Sequence, residues 1–184
     1  IVEAQSPPAP EQRARILVKL GDLYLMWGKQ NTASERYKEA WQILSADPAL
    51  EVRRDEFFAK PARIMGPVPP AILPVPSRKA PPPNAKDLEQ GFVVVRFDVD
   101  PLGRVSAATV IESDPANLLE ERVQETARRT LFRPRFVDGA AVATTGLVLR
   151  HEFRYAPKQL EKKEKPPAEG DDKPLQQPTS GSGA

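Results

Sequence analysis

The stretch that decides the fold is residues 91–105, which read GFVVVRFDVDPLGRV. Val93, Val95, Phe97 and Val99 share one phase of it and Arg96, Asp98 and Asp100 the other, a period of two that is typical of a half-buried β-strand. A turn is predicted at Asp100–Gly103, because Asp, Pro and Gly stand at the positions that a type I turn prefers. The second strand is predicted after the turn, with one phase made of Val105, Ala107, Thr109 and Ile111. The stretch therefore predicts a β-hairpin.

The hairpin is followed by a predicted helix and a long last strand. Asn117 is expected to cap the helix. Its inner stripe, read at helical spacing, is Leu119, Val123, Ala127 and Thr130. Pro134 excludes helix from residues 131–136, and residues 142–155 alternate again as a strand. The sequence therefore predicts a ββαβ unit over residues 87–156, with a three-stranded antiparallel sheet packed on a helix.

Residues 11–60 have helical periodicity instead. Apolar side chains recur at spacings of three and four from Ile16 to Trp27, and again along the following segment, so the sequence predicts two antiparallel helices joined by a short turn. Thr32 is predicted to begin the second helix, because Glu35 three residues later completes a capping box. Together with the sheet unit, these helices predict an α+β protein.

The large, small and aromatic residues of the helical hairpin resemble a tetratricopeptide repeat. They are Leu17, Leu20, Gly21, Tyr24, Gly28, Ala33, Tyr37 and Ala40. A third helix is predicted from Asp47 to about Ala59, because Asp47 and Pro48 suit its first two positions. An ordinary helical hairpin is the alternative interpretation. Since a single repeat cannot bury its own faces, either further repeats precede it or the hairpin packs on another part of the protein.

Proline and charge mark the segments around these two units. Residues 61–86 contain nine prolines, four basic residues and no acidic residue, which predicts a proline-rich basic linker in extended coil. Residues 1–10 are predicted to be a flexible leader and residues 157–184 a disordered charged tail, because neither has enough large apolar side chains to stabilise a fold. The chain begins at Ile1, and any signal peptide or membrane anchor is expected upstream of it.

Composition excludes several classes of function. The chain has no cysteine and one histidine, so we expect neither a cysteine-based nor a histidine-rich metal centre. Its 27 basic residues are balanced by 25 acidic ones, which argues against nucleic acid as a partner. No run of 18 apolar residues is present in the sequence, so no membrane span is predicted. Without a nucleophile and base motif, the sequence predicts a protein that is not an enzyme and binds no cofactor.

Several sequence blocks in the sheet unit resemble the C-terminal domain of TonB-type energy transducers. The blocks are GFVVVRFDV at 91–99, DPLGRV at 100–105, VIES at 110–113, FRPRF at 132–136, VDG at 137–139 and Val142. The helical hairpin, the proline-rich spacer and this domain together are similar to repeat-containing TonB-like proteins of Gram-negative bacteria. The resemblance implies a periplasmic protein that binds a short peptide, the TonB box, of an outer-membrane transporter, while an inner-membrane motor pulls through the domain.

The resemblance also implies where the partner binds. An extended peptide would add to the exposed edge of the last strand through main-chain hydrogen bonds. The edge residues expected to bind it are Val142, Thr144, Gly146, Val148, Arg150 and Glu152.

A basic cluster is the second candidate site. It consists of Arg128, Arg129, Arg133 and Arg135. Arginine pairs carboxylates bidentately, so the cluster is a candidate surface for an acidic partner, and pairing with the domain's own carboxylates is the alternative. His151 is expected to be a partly buried, hydrogen-bonded side chain rather than a ligand-contacting or pH-sensing group.

These observations predict a periplasmic adapter with two protein partners. The sheet edge would bind an outer-membrane TonB-dependent transporter, or a subunit of another envelope complex, and the helices would recruit a second protein. The alternative is a non-energised periplasmic scaffold or assembly protein, in which the TonB-like domain is a structural module or forms a homodimer.

Overall fold

The computed structural model describes residues 9–75 and 83–157. It is an α+β structure with an N-terminal helical region and a C-terminal sheet domain. The helices are α1 (Pro10–Met26), α2 (Gln30–Ser45), α3 (Glu51–Phe58) and α4 (Glu120–Arg128). The strands are β1 (Ala62–Met65), β2 (Ile72–Leu73), β3 (Glu89–Val99), β4 (Val105–Asp114), β5 (Leu131–Arg133), β6 (Arg135–Val137), β7 (Ala140–Val142) and β8 (Thr144–Tyr155). The predicted leader, except for its last two residues, and the predicted tail after residue 157 lie outside the described residues.

Helices α1 and α2 form the predicted antiparallel hairpin. They approach closely because Gly21 has no side chain, and a Cβ atom there would lie 2.6 Å from Tyr37 Cδ1. The turn between them is tight, because Gly28 takes a φ of 72° and the N–H of Lys29 donates to the carbonyl of Tyr24, as in a Schellman C-cap. Helix α2 therefore begins at Gln30. The predicted N-cap at Thr32 is wrong, since Thr32 lies inside the helix.

The start of the third helix follows the prediction more closely. Pro48–Leu50 forms a short 3₁₀ turn that leads into α3. The side chain of Asp47 accepts a hydrogen bond of 2.9 Å from the N–H of Ala49, which is the role of an N-cap residue.

The central sheet has the strand order β2-β8-β3-β4. Strands β8, β3 and β4 form the predicted three-stranded antiparallel sheet, and α4 packs against one face of it. The core between helix and sheet contains Val93, Val95, Phe97, Val99, Ala108, Val123, Ala127 and Phe153. Strand β2 adds a short fourth strand, which runs parallel to β8 and was not predicted.

A bulge in β4 reverses the predicted phase of its side chains. Ala107 has a φ of 50°, and the pairing with β3 shifts between Arg96 and Asp98. An extra residue in one strand moves the side chains beyond it to the other face. Ala108 is therefore buried, whereas Ala107, Thr109 and Ile111, predicted to share the face of Val105, are exposed.

Helix α4 begins later than predicted. Asn117 and Leu119 both have a positive φ, so the chain turns before the helix starts at Glu120. Asn117 does not cap the helix with its side chain in the described structure; instead its N–H donates to the carboxylate of Glu120 at 2.8 Å. Hydrogen bonds from the Ser113 hydroxyl and then from this N–H hold the pKa of Glu120 below its usual value. The predicted inner stripe is largely confirmed, since Val123, Ala127 and Thr130 are buried.

Two strands form within the predicted linker, and its last two residues lie in a 3₁₀ helix, Ala85–Asp87. Strand β1 pairs antiparallel with β5, and β2 pairs with the end of β8. The expectation that residues 61–86 run wholly in extended coil is therefore wrong for Ala62–Met65 and Ile72–Leu73. Residues 76–82 of this segment lie outside the described residues.

The helical region packs on the sheet domain through the hairpin of β6 and β7. Phe136, from β6, is buried in the helical core together with Tyr37 and Phe58. Its ring centroid lies 5.1 Å from that of Phe58 and 6.0 Å from that of Tyr37. The sheet domain thus covers part of the apolar surface that a single helical hairpin cannot bury alone.

Candidate functional site

The edge of β8 that faces away from β3 is paired along part of its length. The N–H of Arg154 donates to the carbonyl of Ala71 at 2.8 Å, and the N–H of Ala156 donates to the carbonyl of Leu73 at 3.0 Å. Main-chain groups of alternate residues point to the same side of a strand. The N–H and C=O groups of Val148, Arg150 and Glu152 therefore point to this same side.

Proline limits how far β2 covers that edge. Pro69 and Pro70 precede Ala71, and proline lacks the N–H that a strand needs to continue its ladder. Among residues 9–75 and 83–157, β2 is the strand that pairs with this side of β8, and its pairing reaches back to Arg154. The main chain from Val148 to Glu152 is consequently an open edge within the described structure.

The six predicted edge residues do not all lie on the open edge. Val148, Arg150 and Glu152 lie on the open edge. Gly146 lies at a register shift, and its N–H is bonded to the carboxylate of Asp98 at 2.8 Å. Thr144 begins β8 beyond that shift.

Val142 lies off the open edge. It belongs to β7 and pairs with Arg135 in a separate two-stranded sheet. The sequence could not show this, because residues 142–155 alternate without an obvious break.

A cleft of about 320 Å³ lies beside the open edge, where β2 meets β8. It is lined by Ala71, Gln90, Gly91, Phe92, Arg150, Glu152, Phe153 and Arg154. The guanidinium carbon of Arg150 lies 3.7 Å from the ring centroid of Phe92, and its Nε lies 3.3 Å from the carboxylate of Glu152. The cleft thus places two guanidinium groups, one of them stacked on the Phe92 ring, next to the free main chain.

His151 has the environment that was expected for it. Its Nε2 lies 3.0 Å from the carbonyl oxygen of Pro70, and the side chain is half-buried. This contact places Pro70 next to β8 at the point where the open edge begins.

Arg133, from the predicted basic cluster, is an internal ion-pair partner. Its side chain is 11% exposed, and it donates two hydrogen bonds to the carboxylate of Asp22, at 2.9 and 2.7 Å. A third bond, of 3.1 Å, goes to the carbonyl of Phe57. The Tyr37 hydroxyl donates to the same carboxylate at 2.8 Å, and burial, followed by the charge of Asp22, raises the pKa of Tyr37. This network joins α1 and α2 to β5.

The other three arginines lie in two places. Arg128 and Arg129 border a cleft between α4 and the Pro67–Pro69 segment, and the Nε of Arg129 lies 4.0 Å from Glu125. Arg135 lines a different cleft with Trp41, and its Nε has no hydrogen-bond partner among the described residues. The four arginines therefore do not form one surface for an acidic partner. Arg133 is paired internally, but the alternative expectation of a partner among the sheet domain's own carboxylates is wrong for it, since Asp22 belongs to the helical region.

Residues 9–75 and 83–157 contain no group of three or more acidic or histidine side chains that could hold a metal ion. Within the same residues, no helix has both the length and the apolar character needed to cross a membrane.

Comparisons with known proteins bear on the sheet domain. Residues 81–155 match the family described as Gram-negative bacterial TonB protein C-terminal. This part of the chain is a TonB-type C-terminal domain. A solved structure of the TonB2 protein from Vibrio anguillarum is 24% identical, with a TM-score of 0.32, and the match covers 50% of this chain and 88% of that chain. A search of curated proteins finds no match.

The family match confirms the resemblance that the sequence blocks of the sheet unit indicated. It extends over β3, β4, α4 and β5–β8 and excludes the helical region. The tetratricopeptide interpretation of residues 11–60 therefore stays a prediction.

Proposed function

We propose that this protein is a periplasmic TonB-like adapter that binds an extended peptide of an outer-membrane transporter by strand addition at the open edge of β8. The peptide would be a segment like a TonB box, and the helical region would recruit a second protein. The observation that carries the proposal is the free main-chain groups of Val148, Arg150 and Glu152 in a TonB-type domain, directly continuous with the stretch of β8 that already pairs with β2.

Strand addition suits the geometry of this edge. Main-chain hydrogen bonds supply affinity in this mode of recognition, and pockets for alternate side chains supply specificity. The open edge supplies the first, and the neighbouring cleft of about 320 Å³ supplies a place for a side chain. A carboxylate on the peptide would be complementary to the guanidinium groups of Arg150 and Arg154.

The family match supports energy transduction and a periplasmic location as parts of this proposal. TonB-type proteins are non-enzymatic energy transducers of the Gram-negative envelope, so we propose that this protein acts by binding and not by catalysis. On this proposal the helices and the sheet domain transmit force or position between two bound proteins.

The decisive experiment replaces Val148 with proline. Val148→Pro removes a main-chain N–H from the open edge, and the pyrrolidine ring occupies the place of an added strand. The probe is a fluorescein-labelled ten-residue peptide with the TonB box of an outer-membrane transporter, and its binding is measured by fluorescence anisotropy. We expect the affinity to fall by about tenfold or more, because the variant loses one hydrogen bond and its proline ring blocks the added strand.

Val148→Ala is the matched control, because it removes the side chain and keeps the N–H. It should change the affinity by less than about threefold. A scrambled peptide should not bind. If Val148→Pro keeps its far-UV circular dichroism and binds the peptide as tightly as the wild type, strand addition at this edge is disproved.

The second candidate function is a non-energised scaffold. The observation in its favour is the packing of the helical core on the sheet domain through Phe136 and through the pair of Asp22 and Arg133. In that function the TonB-type domain supports the helices or dimerises through β8. Light scattering distinguishes a supporting domain, which leaves the protein a monomer, from a dimerising one. If the protein is a dimer and Val148→Pro dissociates it, the open edge binds a second copy of the chain.

A further inference from the structure

Helix α1 has apolar side chains on two faces. The buried face contains Ala14, Leu17, Val18, Gly21 and Leu25 and packs inside the helical region. The other face has Ile16, Leu20 and Leu23, and Trp27 continues it at the C-cap of the helix. The four are spaced by four, three and four residues and therefore lie in one stripe. We call this set the α1 stripe. Ile16 is 47% exposed, Leu20 37% and Trp27 61%.

The α1 stripe has the shape of a helix-binding surface. Its spacing is that of the a and d positions of a coiled coil, which pack against a second helix at a small crossing angle. It extends over about 16 Å at 1.5 Å per residue, which is three turns of a partner helix. Within residues 9–75 and 83–157, its side chains pack outside the two hydrophobic cores.

Positive charge surrounds the α1 stripe. Lys19 and Lys29 are exposed, and neither forms a salt bridge among the described residues. The ammonium of Lys29 lies 6.0 Å from the ring centroid of Trp27. Arg13 and Arg15 carry ion pairs, but 60% and 52% of their side chains stay exposed.

From the spacing and the charge together, we propose that the α1 stripe docks an amphipathic helix of a partner protein whose apolar side is flanked by acidic residues. This inference rests on the proposed recruiting role of the helical region and names its surface. A second copy of this chain is a poor occupant, because it would bring the same lysines and arginines to the contact. Like charges across an interface are unfavourable.

The test uses two designed peptides and the full chain. Each peptide has three heptads with leucine at a and d, and the e and g positions are all glutamate in one peptide and all lysine in the other. Like charges at e and g keep each peptide from pairing with itself. The chain carries Trp41→Phe, so that Trp27 is its only tryptophan and its emission reports on the α1 stripe. We expect the glutamate peptide to shift that emission and to bind at least about tenfold tighter than the lysine peptide, less so as salt is raised.

Matched variants locate the contact. Ile16→Gln should weaken the binding of the glutamate peptide by about tenfold or more, because it removes an apolar side chain that the complex would bury. Val52→Gln is the control, because Val52 is an exposed apolar residue on another helix, at 70%, and should leave binding unchanged. Lys19→Glu combined with Lys29→Glu should reverse the preference toward the lysine peptide.

Several outcomes would overturn the inference. Equal binding of both peptides, or binding of neither, would overturn it. An Ile16→Gln variant that binds the glutamate peptide with full affinity would also overturn it. A dimer in light scattering that Ile16→Gln dissociates would assign the stripe to a second copy, and protection of Trp27 from acrylamide in the free chain would assign it to a segment of this chain. Because the TonB-box peptide is measured on the same protein, failure here is distinct from failure of strand addition at β8.

Discussion

Asp22 offers the sharpest test of how the two halves of the protein are held together. Its carboxylate accepts two hydrogen bonds from Arg133 and one from the hydroxyl of Tyr37. Asp22→Ala removes all three at once. Arg133 then keeps the carbonyl of Phe57 as its hydrogen-bond partner among the described residues, and the Tyr37 hydroxyl loses its acceptor.

The expected cost follows from burial. The side chain of Arg133 is 11% exposed and that of Asp22 is 22% exposed, whereas Tyr37 is 1% exposed. Removing one partner of a buried ion pair costs about 3–5 kcal/mol, because it leaves an uncompensated charge. Arg133 keeps its hydrogen bond to the carbonyl of Phe57 and a small area in contact with water. We therefore expect a cost at the lower end of this range, about 3 kcal/mol. That is a large part of the stability of an ordinary domain.

The assay is urea unfolding followed by tryptophan fluorescence. Both tryptophans, Trp27 and Trp41, lie in the helical region, and circular dichroism follows the whole chain. Glu125→Ala is the matched control, because it also removes one carboxylate, from an exposed pair at 4.0 Å. We expect it to change the free energy of unfolding by less than about 1 kcal/mol.

A second substitution separates the cost of the unpaired Arg133 charge from the cost of the lost hydrogen bonds. Adding Arg133→Met to Asp22→Ala removes the uncompensated guanidinium, and replacement of both partners of a buried pair is often close to neutral. The double variant should therefore be more stable than Asp22→Ala alone. If Asp22→Ala unfolds within about 0.5 kcal/mol of the wild type, the pair does not stabilise the contact between the helices and the sheet domain, and the reasoning from burial is refuted.

Two further predictions concern particular residues. Gly103→Ala should cost about 2–5 kcal/mol, because φ is 80° and the new Cβ would overlap the carbonyl oxygen of Phe132. Gly146→Ala, with a φ of 70° and open space around it, should cost about 1–2 kcal/mol in the same urea titration, and equal costs would contradict the overlap argument. The pKa of Tyr37 is raised in the folded state, so its contribution to stability is complete below the unfolded value of about 10 and is lost as pH rises above it. Wild-type protein should therefore lose stability above pH 10 more steeply than Tyr37→Phe, by about 1.4 kcal/mol per pH unit, and parallel pH curves would contradict this.

Local rules account for the parts that the sequence predicted well. The alternation in β3, the turn at Asp100–Gly103 and the helical stripe of α4 depend on neighbours within a few residues. The turn illustrates this, because the N–H of Gly103 donates to the carbonyl of Asp100 and the N–H of Leu102 to its carboxylate. Such contacts can be foreseen from residue type and spacing alone.

The errors in the strands occurred where backbone conformation or pairing depends on distant parts of the chain. Ala107 has no turn signature in the sequence, yet its positive φ reverses the phase of β4. Val142 continues the alternation of the last strand but pairs with Arg135 instead. Both depend on which strand lies opposite, and strand register is set by the packed sheet.

The amino-acid sequence by itself determined the α+β class, because hydrophobic period and turn chemistry act over short range. The resemblance of its motif blocks to TonB-type domains indicated the strand whose edge is the candidate site. Only the tertiary structure decided which part of that edge is free. The pairing of β2 with β8 and the contact of Pro70 with His151 join residues that are far apart in the chain. It also decided that Arg133 binds Asp22, 111 residues away, because an arginine in a basic cluster pairs with whichever carboxylate folding brings to it.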